Sequence, residues 1–115
     1  MKEYTIDAAG KTLGRVASEA AKALMGKTSA DYTPHIRSNV RVKIVNTGKL
    51  YMRARKRSTK IYSTYSGYPS GRKVETYASL SARRGVGEPL LRAIRRMLPR
   101  NSFLTARMKN IEISA

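Results

Sequence analysis

The tripeptide Gly-Lys-Thr occurs twice, at Gly10-Lys11-Thr12 and at Gly26-Lys27-Thr28. In a nucleotide-binding loop of the form G-x-x-x-x-G-K-[ST], these residues grip phosphate. The first glycine opens a loop of backbone amides and the lysine reaches the terminal phosphates. Counting back five positions gives Thr5 for one copy and Ala21 for the other, so neither has the opening glycine. The second copy follows a helical pattern and meets its C-terminal pole, the wrong end for an anion. The first copy keeps some meaning. Lys11, Thr12 and Arg15 sit where a strand feeds a helix start, whose free amides and dipole favour a phosphate. A backbone phosphate of a nucleic acid fits there as well as a nucleotide does. So does a plain turn and cap with solvated cations.

Other chemistry finds no support. The one histidine, His35, lies beside Pro34 in a loop, and a lone histidine is more often a surface or packing residue than a base or ligand. Asp7 and Asp31 have no nearby carboxylate partner in sequence, and the serines form no nucleophile elbow. Cysteine is absent, which excludes a disulfide framework and a cysteine-based zinc site. Metal ligands do not cluster, and no cofactor or small-molecule substrate is expected.

The cations need another explanation. The 115 residues carry 24 Lys and Arg against 7 Asp and Glu, a formal charge of +17. That excess repels itself in the folded state and calls for a polyanionic partner. Nucleic acid is the usual one and an anionic membrane surface the weaker alternative. Apolar runs are too short to span a bilayer, and the start, MKEYTIDAAG, lacks the apolar stretch of a signal peptide. These features predict a cytoplasmic protein. Between Tyr32 and Val74 there is no acid at all. That span holds Arg37, Arg41, Lys43, Lys49, Arg53, Arg55, Lys56, Arg57, Lys60, Arg72 and Lys73. Among them stand Tyr32, Tyr51, Tyr62, Tyr65 and Tyr68. Lysine and arginine release counterions from phosphates, and tyrosine offers a face to an unstacked base. Tyr51 and Tyr62 also suit the core, whereas Tyr65 and Tyr68 flank a Gly/Pro loop that favours exposure. A second patch holds Arg92, Arg95, Arg96 and Arg100, the first three at i, i+3 and i+4 with no acid from Pro89 to Ile111. Like charges at that spacing repel. A polyanion partner is favoured over a solvated face. Tyrosine-bearing and glycine-bearing loops suit irregular RNA. An architectural DNA-binding protein is the runner-up, and a nucleotide hydrolase or kinase the distant third.

The elements that hold these residues follow from periodicity. EYTID, Glu3 to Asp7, reads as a strand. Leu13, Val16, Ala17, Ala20, Ala21 and Leu24 share one helical face, which predicts a helix over residues 13–25 with Thr12 as N-cap and Gly26 as C-terminal stop. Residues 27–39 read as a loop, and Val40, Val42 and Ile44 alternate as a second strand. Residues 49–60 form a basic segment without a clear pattern. Short strands are expected at 61–65 and 73–76, on either side of the breaker-rich loop Ser66–Gly71. A helix is expected over 77–84. A further helix begins near Pro89, with Leu90, Leu91, Ile94, Met97 and Leu98 inward. Asn101 can cap a last short helix, and Ile111–Ile113 closes as a strand. Alternating strands and helices imply one α/β domain over residues 1–115 with a largely parallel sheet.

Several motifs in this order resemble the bacterial large-subunit ribosomal protein thirteen family, across nearly the whole chain. They are DAAGKTLGR at 7–15, DYTPH at 31–35, Asn46 followed by Lys49, SGYP at 66–69 and MLPRN at 97–101. The resemblance implies a three-layer α/β/α domain with a mostly parallel four-stranded sheet. It implies a structural, non-enzymatic constituent of the large ribosomal subunit that binds 23S-type rRNA, takes part early in assembly and neighbours other large-subunit proteins. By motif, the rRNA contacts expected are Lys11, Thr12 and Arg15, then Tyr32 and His35, then Ser66, Gly67 and Tyr68, then Arg100 and Asn101. Lys27, Lys49, Arg53, Arg55, Lys56, Arg57, Lys60, Tyr65, Arg72, Lys73, Arg92, Arg95 and Arg96 complete the candidate set. The chain departs from the family at Tyr65, where histidine is common, and at Ser70, Arg96 and Arg53-Ala54, where glycine or Thr-Gly is usual. It also starts close to the first strand and stops at the last, so fewer peripheral contacts are expected.

Overall fold

The computed structural model describes residues 2–114. Its elements in chain order are β1 (Lys2–Asp7), α1 (Leu13–Met25), β2 (Val40–Val45), α2 (Ala54–Thr59), β3 (Ile61–Tyr65), β4 (Arg72–Thr76), α3 (Tyr77–Arg84), α4 (Gly87–Met97), α5 (Leu104–Lys109) and β5 (Ile111–Ile113). A single 3-10 turn, Thr47–Lys49, follows β2. β1, β2 and β5 form a parallel sheet in that order, with Lys2 opposite Val40 and Val42 opposite Ile111. The chain is therefore α/β with a mainly parallel sheet, as the alternation of periods requires.

The finer layout differs from the expected one. The parallel sheet has three strands among the described residues, not four. Ile61–Tyr65 and Arg72–Thr76 pair with each other as an antiparallel hairpin instead. Six connecting residues return the chain directly, and IYSTY lacks the apolar run that the interior of a parallel sheet demands. β2 alternates buried Val40, Val42 and Ile44 with exposed Arg41 and Lys43. Ile6 is buried beside Ile44, while Glu3, Thr5, Asp7 and Glu112 are exposed. One face of the sheet is thus covered and the other is open.

α1 contacts β1, β2 and α4. It can sit between them because its apolar positions are small. Val16, Ala17, Ala20, Ala21 and Ala23 are all buried, and alanine brings backbones close while keeping helix propensity high. Gly26 ends the helix at φ 84°, and its amide donates to the Ala23 carbonyl. A β-carbon on Gly26 would come 2.9 Å from Ser38 Cβ, so both conformation and space require glycine. Leu80, Leu90, Ile94 and Leu98 fill the rest of the core, whereas Met97, expected inward, is exposed. The basic segment forms α2, whose six residues are all exposed. Asn101 does not occupy the cap position of α5, which is Phe103. Its side chain instead accepts from the Phe103 amide at 3.0 Å and shapes the turn before the helix.

Candidate nucleic-acid interface

At the C-terminal edge of the sheet, two loops are laced together. Gly10 takes φ 71°, which lets its amide donate to the Lys49 carbonyl at 3.0 Å. The Tyr51 amide then donates to the Lys11 carbonyl, also at 3.0 Å. Asp7 anchors the turn, its Oδ1 accepting from Asn46 Nδ2 at 2.9 Å and from the Ala9 amide at 3.0 Å. The Asn46 hydrogen bond, then the Ala9 amide, hold the Asp7 carboxyl below its usual range. Thr12 occupies the N-cap of α1, but its side chain makes no cap bond and the first turn holds no acid. The helix start is left open to an anion, with Lys11, Arg15 and Lys49 around it. Lys11 is shared with Glu19 at 3.4 Å, a surface pair that contributes little. Thr12, Leu13, Tyr51, Met52, Arg53 and Lys56 line a cleft of about 130 Å³ beside it. Tyr51, which suited the core on sequence, is 54% exposed here and joins the site, while Tyr62 is the buried one.

A second site gathers the arginines of α4. Thr64, Glu88, Arg92, Arg95, Arg96, Arg100, Asn101 and Leu104 line an open groove of about 790 Å³. The hairpin reaches this groove through Thr64, so β3 and the Arg100-Asn101 corner line it together. The four arginines are not equivalent. Arg92 is half-buried, donates to Glu88 at 3.4 Å and lies 5.5 Å from the centre of the Tyr62 ring. Lys60 lies 5.6 Å from the same ring. Burial, then Tyr77, push the Tyr62 hydroxyl above its ordinary pKa. Arg92 and Tyr62 therefore brace the hairpin against α4. Arg95, Arg96 and Arg100 are exposed, and none has a salt-bridge partner among the described residues. They remain available to a ligand.

Between these sites, Arg53, Arg55, Lys56, Arg57 and Lys60 are exposed on and around α2, and Arg72 and Lys73 are exposed on β4. The loop after β3 is tightly wound. Gly67 has φ 88° and Ser70 φ 63°, and the Gly71 amide donates to the Tyr68 carbonyl at 2.9 Å. A β-carbon on Gly71 would collide with the Ser66 hydroxyl and lie 2.9 Å from the Tyr68 carbonyl. This winding holds Tyr68 outward, 74% exposed, beside Ser66, Gly67 and a 66% exposed Tyr65.

Lys27, Tyr32 and His35 are exposed at the opposite end of α1. Thirteen helical residues separate them from Lys11 by roughly 20 Å. Tyr32, with Met25, Ile36, Arg37 and Val40, lines a separate cleft of about 410 Å³. Sequence reasoning also missed Arg107, which is 3% exposed. It lies 5.5 Å from the Phe103 ring, and its Nε and Nη1 have no hydrogen-bond partner. Its only signal was the i, i+4 spacing with Phe103.

Five of the seven acids are already engaged by a cation or a hydrogen bond. Glu3, Asp7 and Glu112 are on the open sheet face, with Glu3 3.9 Å from Arg41. Glu75 is held bidentately by Arg83, and Glu19 and Glu88 are paired as described. The hairpin, α2 and α4 present positive potential with little to offset it. Among the described residues, no group of three or more His, Cys, Asp or Glu could hold a metal ion, and no helix is long and apolar enough to cross a membrane.

The family model described as ribosomal protein L13 matches residues 1–115. The chain is 44% identical over 103 residues to the large ribosomal subunit protein uL13 of Picosynechococcus, covering 89% of this chain and 67% of the relative. It is 37% identical to the uL13 of Alcanivorax borkumensis over 113 residues, 97% of this chain and 78% of the relative. With the uL13 of Rubrobacter xylanophilus it shares 38% over 114 residues, 99% of this chain and 79% of the relative. The chain thus spans between about two thirds and four fifths of the length of these three relatives.

Proposed function

Because the chain belongs to the ribosomal protein L13 family, we propose that it is a structural constituent of the large ribosomal subunit. It binds 23S-type rRNA, supports early subunit assembly and contacts neighbouring large-subunit proteins, as one domain over residues 1–115 in the ribosome of the cytoplasm. It performs no reaction. Its cations cancel repulsion between RNA segments that must pack closely, and its shape selects how they pack. The observation that carries this reading is the open arginine groove, lined by Arg95, Arg96 and Arg100 together with Thr64 of the hairpin. The open start of α1, with Lys11, Thr12 and Arg15, supplies a second phosphate site. Lys49, α2, Arg72 and Lys73 extend the positive surface between them. Lys27, Tyr32 and His35 serve a separate contact at the far end of α1.

The salt dependence of binding to an rRNA fragment tests this. If six to ten phosphates are contacted, log K falls with log salt with a slope of about −4 to −9. Replacing Arg95 and Arg96 together by alanine reduces the slope by about 1.5. A slope near −1 for the wild-type protein would contradict the electrostatic account.

A further inference from the structure

The hairpin has two unlike faces. Its register sets Ser63 opposite Val74, Thr64 opposite Lys73 and Tyr65 opposite Arg72. Alternate residues point to opposite sides of a strand. Tyr62 and Thr64 therefore share the inner face, where Tyr62 is buried under Arg92 and Thr64 lines the arginine groove. Ile61, Ser63 and Tyr65 share the outer face with Arg72 and Val74. Every one of these five side chains is exposed. The outer face holds no acid, since Glu75 lies on the inner side and is held by Arg83. The result is an aromatic ring and a guanidinium on directly paired positions, with Val74 beside them, Ile61 further along the same face and Tyr68 at the tip.

We propose that this outer face is a stacking site for an unpaired, unstacked nucleotide of RNA. The base lies on the Tyr65 ring, Arg72 takes its phosphate or the plane of the next base, and Tyr68 extends the platform. Val74, diagonal to Tyr65, covers the sugar. The occupant follows from chemistry. A tyrosine ring can stack on a base only where the base has left its helix, so paired RNA offers this ring no base face, only its backbone and groove edges. The charge of the arm, with Arg72 and Lys73 and no acid from Tyr32 to Val74, favours a polyanion over a protein surface. The proposal rests on the RNA-binding function above and adds the state of the RNA it selects.

The test compares two fluorescent RNAs of equal length at one salt concentration, one fully paired and one with a central unpaired bulge, bound by the full chain. Wild-type protein is expected to prefer the bulged RNA. Tyr65→Ala is expected to lose about tenfold in affinity for the bulged RNA and less than twofold for the duplex, with an unchanged salt slope. Tyr65→Phe, which keeps the ring, is expected to restore the loss. Equal loss on both RNAs, or none on either, would overturn the proposal while leaving the electrostatic binding intact. A wild-type protein that binds neither RNA would remove the RNA-binding reading and this site with it. In assembled subunits, a photo-cross-linking aromatic residue in place of Tyr65 is expected to capture RNA. Capture of a protein neighbour instead would also overturn the assignment.

Discussion

At the scale of single residues, the least settled group is Arg107. A buried guanidinium with two nitrogens facing no acceptor loses hydration without recovering hydrogen bonds. The ring of Phe103 offsets part of that loss. Arg107→Met keeps the volume and removes the orphaned donors, so it should stabilise the isolated protein by about 1–3 kcal/mol in a denaturant titration. An unchanged or lower midpoint would mean that Arg107 has a partner in solution. Gly26 makes the opposite case. Gly26→Ala forces a left-handed backbone on an L-residue and drives a methyl group into Ser38, and should cost about 1–2 kcal/mol. Asp7 gives a pH signature. Its folded carboxyl titrates below the unfolded one because Asn46 and the Ala9 amide bond its charged form. The stability this contributes is present above the ordinary carboxylate range and is lost as pH falls through the folded value. Asp7→Asn should therefore flatten the acid limb of the stability profile, which thermal melts carried from neutral pH down through and below the ordinary carboxylate range would reveal.

At the scale of elements, α1 shows how closely packing follows the pattern of residue sizes. Its buried alanines bring the sheet and α4 onto one helix, and Ala20→Leu should cost about 1–3 kcal/mol by overpacking. The same helix was legible in the sequence from end to end, because its apolar period and both termini agree. The hairpin strands and the helix Tyr77–Arg84 were legible only as short segments set off by breakers, the loop Ser66–Gly71 and the RGVG that follows the helix. The partner of a strand was not. Nothing in IYSTY states whether it joins β2 or returns on itself, since pairing is chosen by tertiary geometry. The burial of Tyr62 and exposure of Tyr51 were closed to periodicity for the same cause. Both tyrosines stand in basic segments, and only the position of α4 decides which one is covered. Exposure of the SGYP loop was legible, because its glycines and proline forbid regular structure. The convergence of Thr64 with the α4 arginines was not, since 28 to 36 residues separate them in sequence.

At the scale of the whole molecule, the acids leave most of the positive charge unanswered. Three of the seven acids lie on the open sheet face, and three of the others are tied in ion pairs. The exposed arginines of α4, the basic α2 and the hairpin are left to act together on a polyanion. Such a protein should be marginal at low salt without its partner and gain stability when RNA or an inert polyanion is added, through binding linkage. A thermal shift on addition of an rRNA fragment, reduced at high salt, would bear this out. No shift at any salt would count against it. The most direct measurement of the central claim is where the native protein sediments in a cell lysate, before and after a high-salt wash. The account predicts that it stays with the large ribosomal subunit through the wash, held by many phosphates and by shape together. A protein that runs free of ribosomes, or that travels with DNA, would contradict it.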